Sequence, residues 1–167
     1  YRSIEGIYQM IGQLGSLVGQ QDKSLKLIQS FNEKLDQTKQ ESDKLQTKPK
    51  VYFEEWYEPL ICGSHWVSEL IEIAGGKDIF AEKAKAPLAK DRFILDDTDI
   101  INANPDIILA SWCGKKFNKE KLKSRKGWDK ISAFQNDRIY EIDSSIILQP
   151  GPAALTDGVD EIAKYII

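Results

Sequence analysis

From Lys50 to the end of the chain, short apolar runs take turns with amphipathic stretches, and this alternation constrains the fold more than any other feature. "KVYF", "RFIL", "DIILAS" and "DRIYEID" read as strands; "SHWVSELIEIAGG", "DDTDIINANP", "NKEKLKSR" and "PAALTDGVDEIAKYII" read as helices between and after them. Ser64 stands where an N-cap belongs, Gly75-Gly76 where a helix closes, and Pro152 in a first helical turn. Strand and helix in alternation predict an α/β fold, a parallel sheet with helices on both faces. In such sheets the ligand lies beyond the carboxyl ends of the strands. That rule marks the loops "EEWYEPLICGS", "SWCGKKF" and "SSIILQPGP", which converge on one rim.

Residues 1–48 have a different texture. They contain no proline, and their four glycines all lie in the first twenty positions. Ile4, Ile7, Tyr8, Ile11, Leu14 and Leu17 recur at helical spacing and predict a first amphipathic helix. Gly15 and Gly19 weaken its end. A second helix, long and sparsely apolar, is expected over residues 22–47, with Leu25, Ile28, Phe31 and Leu35 on its apolar side and Pro49 as its stop. At about 1.5 Å per residue it would span close to ~38 Å. It is either a solvated helix steadied by charge pairs such as Asp22 with Lys26, or a rigid strut between domains.

A chain of 167 residues fits one domain, or one domain plus an appendage, and a net charge of −3 argues against a nucleic-acid or anionic-membrane partner. No apolar run approaches the roughly 20 residues of a membrane span. The chain opens at Tyr1 without an initiator Met or a signal peptide, and is expected to be processed or a fragment of something longer. Its two cysteines, Cys62 and Cys113, allow one bridge or two free thiols.

The chemistry-bearing residues cluster in "VYFEEWYEPLICGSHW". Glu54 and Glu55 are adjacent on a strand and point to opposite faces, so they cannot share a substrate; Glu58 could join one of them. "SWCGKK" opens like a dithiol redox loop, but Lys116 stands where the second cysteine would be. Cys113 beside Lys115 and Lys116 remains a possible nucleophile, and an enzyme using Cys113 or the Glu54/Glu55/Glu58 group stays open as the less favoured class. His65, the lone histidine, is a weak metal candidate, since Cys62, His65 and Cys113 make a thin set for zinc. "GGKD" and "PGPAALTDG" both lack the pattern of a phosphate-binding loop. What remains is a surplus of aromatics at strand ends: Trp56 and Tyr57 after the first strand, Trp112 after the third, with Leu148 and Pro150 after the fourth. Rings at loop tips call for something to cover them: either they pack against one another or on a missing first part of the chain, or, the preferred reading, they form a shallow apolar cradle for a large, flat ligand.

Five stretches in order, "GIYQMIGQLGSLVG", "YFEEWYEPLICGSHWVSELIEIAGG", "NPDIILASWCGKKF", "GWDKISAFQNDRIYEID" and "ILQPGPAALTDGV", resemble the cobalamin-type and iron-complex substrate-binding proteins of ABC importers. The resemblance runs along essentially the whole chain. It implies two α/β lobes joined by one long helix, with the ligand clamped between them and no catalysis. On that basis residues 1–20 would be the helical tail of a first lobe absent from this chain, 21–49 the interlobe helix, and 50–167 the C-terminal ligand-binding lobe. The implied ligand contacts are Trp56, Tyr57, Pro59, Leu148, Gln149 and Pro150, to which the strand-end rule adds Trp112. The implied cargo is cobalamin or a related corrinoid, or alternatively haem or a ferric siderophore, with no intrinsic cofactor. Cobalamin-binding relatives often carry an arginine after "PGP", where Ala153 stands here. The implied partner is the importer's permease, docked through a carboxylate near Asp97, Thr98 and Asp99. The implied location is the periplasm or, for a lipoprotein, the extracellular face. With the first lobe absent, the apolar face of residues 4–17 is expected to pair two copies of the chain as a homodimer, together with the long helix.

Overall fold

The computed structural model of the chain describes residues 2–167. Its strands are β1 (Lys50–Tyr57), β2 (Leu60–Cys62), β3 (Lys77–Asp78), β4 (Ile107–Ala110) and β5 (Ile139–Glu141). They form one sheet in the order β2-β1-β4-β5, with β3 on the same edge of β1 as β2 but further back along the strand. The β1–β3, β1–β4 and β4–β5 pairings are parallel, as the strand–helix alternation predicts. The β1–β2 pairing is antiparallel, so the sheet is mixed.

Helices α1 (Ile4–Leu17), α2 (Gln21–Ser42) and α3 (His65–Ile73) are followed by the short α4 (Ala81–Ala84), α5 (Thr98–Ala103), α6 (Lys119–Lys123), α7 (Ser132–Gln135) and α8 (Ser144–Ile147), and the chain closes on α9 (Val159–Ile166). Among the described residues, no helix is long and apolar enough to cross a membrane.

Strand periodicity divides the core in two. Val51, Phe53, Ile107 and Leu109 join Ile4, Ile7, Ile11, Phe31, Leu35, Leu70 and Ile162 on one face, under α1, α2, α3 and α9. Tyr52 and Ile108 point the other way and join Ile100, Leu122, Trp128 and Ile139 under α5, α6 and α7. Both faces are therefore covered, which is why β4 is buried along its whole length.

α1 forms where its apolar spacing places it, with Ser3 as N-cap accepting from the Gly6 amide and Glu69 of α3 accepting from the Ile4 amide at 2.7 Å. Gly19, at φ +66°, turns the chain into α2. Only half of the α1 stripe is covered. Ile4, Ile7 and Ile11 lie in the chain's own core, which removes them from the expected dimer face, whereas Leu14 and Leu17 are 54% and 83% exposed.

α2 ends at Ser42, well before Pro49. Beyond that point the sequence offers no further apolar stripe, and the Ser42 hydroxyl instead bonds the Lys39 and Ile73 carbonyls, tying the helix end to the C-terminus of α3. Its 22 residues span about 33 Å. The helix lies on the lobe through Phe31 and Leu35, and Lys34 pairs with Asp160 of α9 at 2.5 Å. The expected Asp22–Lys26 pair does not form; the i,i+4 pair on this helix is Lys39–Asp43.

"RFIL" is not a strand. It leaves a 3₁₀ turn (Ala89–Arg92), and Phe93 makes one isolated bridge to Ile61. Ser64 stands at the N-cap of α3, but its hydroxyl caps nothing and is buried without a partner. The other end of α3 closes as expected, the Gly76 amide reaching back to the Ile71 carbonyl. The turn packs so tightly that a Cβ on Gly76 would stand 2.8 Å from Val51 Cγ2, 2.9 Å from Ile71 Cγ2 and 3.0 Å from Ile166 Cδ1. These are two stiff β-branched side chains of the core and a third from the terminal helix. Gly76→Ala is expected to cost about 1–3 kcal/mol, read as a lower urea midpoint at unchanged slope.

Candidate ligand-binding rim

The carboxyl end of β1 does not open into a loop. It continues as a hairpin across Glu58 and Pro59 into β2. Glu54 faces Cys62, Trp56 faces Ile61 and Tyr57 faces Leu60, so Glu55 is an extra residue and the strand carries a bulge there. Beyond the bulge the strand pairs residue for residue up to the hairpin turn, and there two neighbouring rings meet. Trp56 and Tyr57 stack with centroids 4.9 Å apart at 30°. Tyr57 in turn lies 4.4 Å from Trp112, and Trp112 meets Phe117 edge-on at 5.1 Å. The four rings form a continuous row along the β1–β4 end of the sheet. The Trp56 indole donates to the Glu58 carbonyl at 2.9 Å, and the Lys121 ammonium sits 3.7 Å above the Tyr57 ring.

The sequence-predicted residues divide accordingly. Trp56 and Tyr57 are half-buried and Pro59 is exposed at the hairpin tip. Trp112 does not stand uncovered as expected. It is only 4% exposed, because its indole N–H donates to Glu54 at 3.0 Å and its ring fills the core under α6. It backs the row instead of fronting it. Leu148, Gln149 and Pro150 lie on a different loop, between α8 and the terminal helix, pinned where the Trp66 indole donates to the Ile147 carbonyl at 2.9 Å. Gln149 is exposed, Pro150 half-buried, and Leu148 packs on the α1/α2/α3 core. The structure therefore unites Trp56, Tyr57 and Trp112 and leaves the other three on a separate loop.

Two arginines hold the acids that sequence reading weighed as catalysts. Glu54 is fully buried and takes Arg125 Nη1 at 2.6 Å and Nη2 at 3.1 Å, with the Tyr52 hydroxyl at 3.2 Å. Burial, reinforced by Glu54, holds the Tyr52 phenol well above its usual range. Glu55 takes Arg92 at 2.6 and 2.9 Å, and that buried guanidinium also donates to the Cys62 carbonyl. Glu58 is exposed, 3.7 Å from Lys121. No two of these carboxylates are free to act as an acid/base pair.

Cys62 and Cys113 are both free thiols, the first buried and the second exposed. Burial pushes the Cys62 thiol up to about 12, so it stays protonated at neutral pH. Among the described residues, no group of three or more His, Cys, Asp and Glu side chains is placed to hold a metal ion, which removes the set built on His65. Of the acids nominated for docking, Asp97 is already engaged, accepting from the buried Trp128 indole at 2.9 Å. Asp96 accepts from the Thr98 amide, and its bonds to Thr98 hold its carboxyl below the usual range. Thr98 and Asp99 are exposed.

Sequence reading missed Arg92 and Arg125. A clue was present: only four of the 23 cationic residues are arginine. In a lysine-rich chain, an arginine marks a place where a planar two-point donor is needed.

Beside Trp112, at the ends of β4 and β5, lies an open cleft of about 470 Å³ lined by Gly114, Lys115, Lys116, Glu141 and Asp143. It sits where the strand-end rule places a ligand.

The chain matches the periplasmic binding protein family model over residues 1–146. An uncharacterized ABC transporter substrate-binding lipoprotein of Bacillus subtilis strain 168, YvrC, is 25% identical over 99% of this chain and 51% of its own length. The chain thus spans about half the length of this curated relative. Two crystal structures share the fold. An ABC transporter substrate-binding protein from Listeria monocytogenes EGD-e superposes at TM-score 0.82 with 22% identity, over 99% of this chain and 65% of that one. Staphylococcus aureus IsdE complexed with heme superposes at 0.81 with 19% identity, over 99% and 66%. With most of its length under the family model, this chain is a member of the periplasmic binding protein family.

Proposed function

We propose that this chain is the C-terminal, ligand-gathering part of the substrate-binding component of an ABC importer. In this reading it works outside the cytoplasmic membrane and delivers its cargo to a permease. The cargo is a large, flat metal complex, of the corrinoid class or of the haem and ferric-siderophore classes. The observation that carries the reading is the row Trp56–Tyr57–Trp112–Phe117 at the carboxyl end of a sheet whose acids are all engaged or solvated. A row of rings backed by a rigid buried carboxylate offers a flat apolar contact and no reactive group.

In the same reading Pro59, Leu148, Gln149 and Pro150 border the cargo. Residues 50–167 are one lobe, 21–49 join it to another, and 1–20 lead in from that other lobe as its tail and pack on this one through Ile4, Ile7 and Ile11. The exposed Leu14, Leu17, Val18 and Leu25 are then the seam to the remainder of the protein, and self-association through residues 4–17 is left with Leu14 and Leu17 as its apolar contribution. Asp99 and Thr98, exposed at the start of α5, are the docking groups left for the permease once Asp97 is engaged.

The test is titration with cyanocobalamin, haemin and a ferric trihydroxamate, followed by quenching of tryptophan fluorescence. One of the three should bind, and Tyr57→Ala should weaken it by roughly tenfold or more, the loss expected from one ring-sized apolar contact. Binding that is indifferent to both Tyr57→Ala and Trp56→Ala would remove the reading.

A further inference from the structure

We infer that the cargo is anionic, and that Lys115 and Lys116 hold its negative groups at the edge of the ring row. The inference rests on the proposed function and narrows it from flat metal complexes in general to those carrying carboxylate or catecholate charge.

The first ground is the distribution of charge. Residues 115–130 hold eight cationic side chains and two acidic ones, in a chain whose net charge is −3. This basic stretch lies on the loop and helix α6 that follow β4, at the ligand-facing end of the sheet, while the rest of the chain is strongly acidic. A local excess of one sign beside a cleft raises the concentration of the opposite sign there.

The second ground is which of those cations are spoken for. Arg125 is committed to Glu54, Lys119 to Asp137 at 2.5 Å, Lys123 to Glu120 at 3.1 Å, and Lys121 to the Tyr57 ring and Glu58. Lys115, Lys116, Lys126 and Lys130 are exposed and their ammonium groups make no ion pair or hydrogen bond; of these, Lys115 and Lys116 line the cleft beside Trp112. Two carboxylates share that cleft, but each already has a backbone donor. Glu141 accepts from the Phe117 amide at 3.1 Å and Asp143 from the Ser145 amide at 2.8 Å. Of the four charges that line the cleft, the two positive ones are those with no hydrogen bond or ion pair inside the chain.

The third ground is geometry. The cleft is lined by Trp112, and Trp112 touches both Tyr57 and Phe117. A flat ligand lying on the row would bring a peripheral acid group towards Lys115 and Lys116. Ammonium groups on flexible stems suit such a group, since they follow it in water without the fixed geometry an arginine imposes.

The experiment uses two probe pairs that differ in charge: haemin with its dimethyl ester, a near-isosteric pair, in one micellar buffer, and a ferric tris-catecholate with a ferric trihydroxamate. The anionic member of at least one pair should bind about tenfold tighter than its neutral partner. That ratio should shrink towards one when salt is raised from about 0.05 to 0.5 M, because exposed charges are screened over a few ångströms at the higher value. Lys115→Gln with Lys116→Gln should abolish the preference, whereas Lys44→Gln with Lys77→Gln, at exposed sites towards the amino end of β1, should leave it intact. Equal binding of both members in each pair, a preference that survives the Lys115/Lys116 change, or tight binding of neutral cyanocobalamin alone would each overturn the anionic assignment while leaving a cargo-binding function standing. If none of the four probes and no cyanocobalamin binds, both proposals fall.

Discussion

Arg125→Ala should lower the stability of the chain by about 3–5 kcal/mol, the loss typical of stranding one partner of a buried ion pair. Glu54 has no exposed surface, and its partner Arg125 is itself largely buried. Without the guanidinium, the carboxylate keeps two neutral donors, the Trp112 indole at 3.0 Å and the Tyr52 hydroxyl at 3.2 Å. Neither carries charge, and water has no way in without opening the core under α6. The effect also reaches the rim, because the Glu54 carboxylate holds Trp112, and Trp112 backs Tyr57. Urea unfolding should report the loss, and near-ultraviolet circular dichroism should report the disturbed indole. Replacing both partners at once, Glu54→Leu with Arg125→Met, should recover only part of the stability: no charge is then left unpaired, but the Trp112 indole and the Tyr52 hydroxyl lose their acceptor. A single-variant loss below about 1 kcal/mol would mean that the pair behaves like a surface salt bridge and that the packing described around Glu54 is wrong.

Trp128→Ala should cost a similar amount, about 3–5 kcal/mol, for a different reason: it leaves a cavity. Trp128 has no exposed surface, and Tyr52 and Phe134 meet it edge-on at 6.1 and 6.0 Å. The Arg125 guanidinium lies 4.4 Å from its ring, and its indole N–H donates to Asp97. These neighbours come from β1, the segment after α6, α7 and the segment before α5, so no single movement can close the gap. Trp128→Phe separates the two contributions. It keeps most of the packing and removes the bond to Asp97, and should cost only about 1–2 kcal/mol. Because Trp128 and Arg125 touch, the double alanine variant should fall short of the sum of the singles. Simple additivity between them in urea titrations would contradict the contact.

Much of this was legible in the chain itself. The spacing of Ile4, Ile7 and Ile11 made α1, and the apolar run "DIILAS" with its neighbours made β4 a strand buried on both faces. Gly75-Gly76 closed α3 as such pairs do. In each of these cases local periodicity and burial point the same way. The misreadings share one cause, which is that the deciding partner lies far along the chain. Pro59 looked like the middle of a loop, yet the segment after it pairs back on β1 as β2. "RFIL" has the composition of a strand, but Arg92 is held in a 3₁₀ turn by partners on β1 and β2, and only Phe93 makes a bridge to the outer edge of β2. Trp112 follows a strand, as a rim residue should, but a carboxylate 58 positions earlier draws its indole inward.

The candidate site shows the same division. Sequence reading placed Trp56 and Tyr57 at the sheet's carboxyl edge, because the order of strands and helices in an α/β chain dictates where strand ends gather. It also showed that Glu54 and Glu55 could not act together, since adjacent residues on a strand diverge. Only the tertiary structure revealed that each acid meets its own arginine, that Trp56 and Tyr57 stack beyond a bulge at Glu55, and that Lys115 and Lys116 are left without partners beside them. Alternation, caps and turns are written in neighbouring residues and survive in any context. Charge pairing and ring stacking depend on which distant side chains arrive at the same place, and that is decided when the sheet closes and the two cores pack.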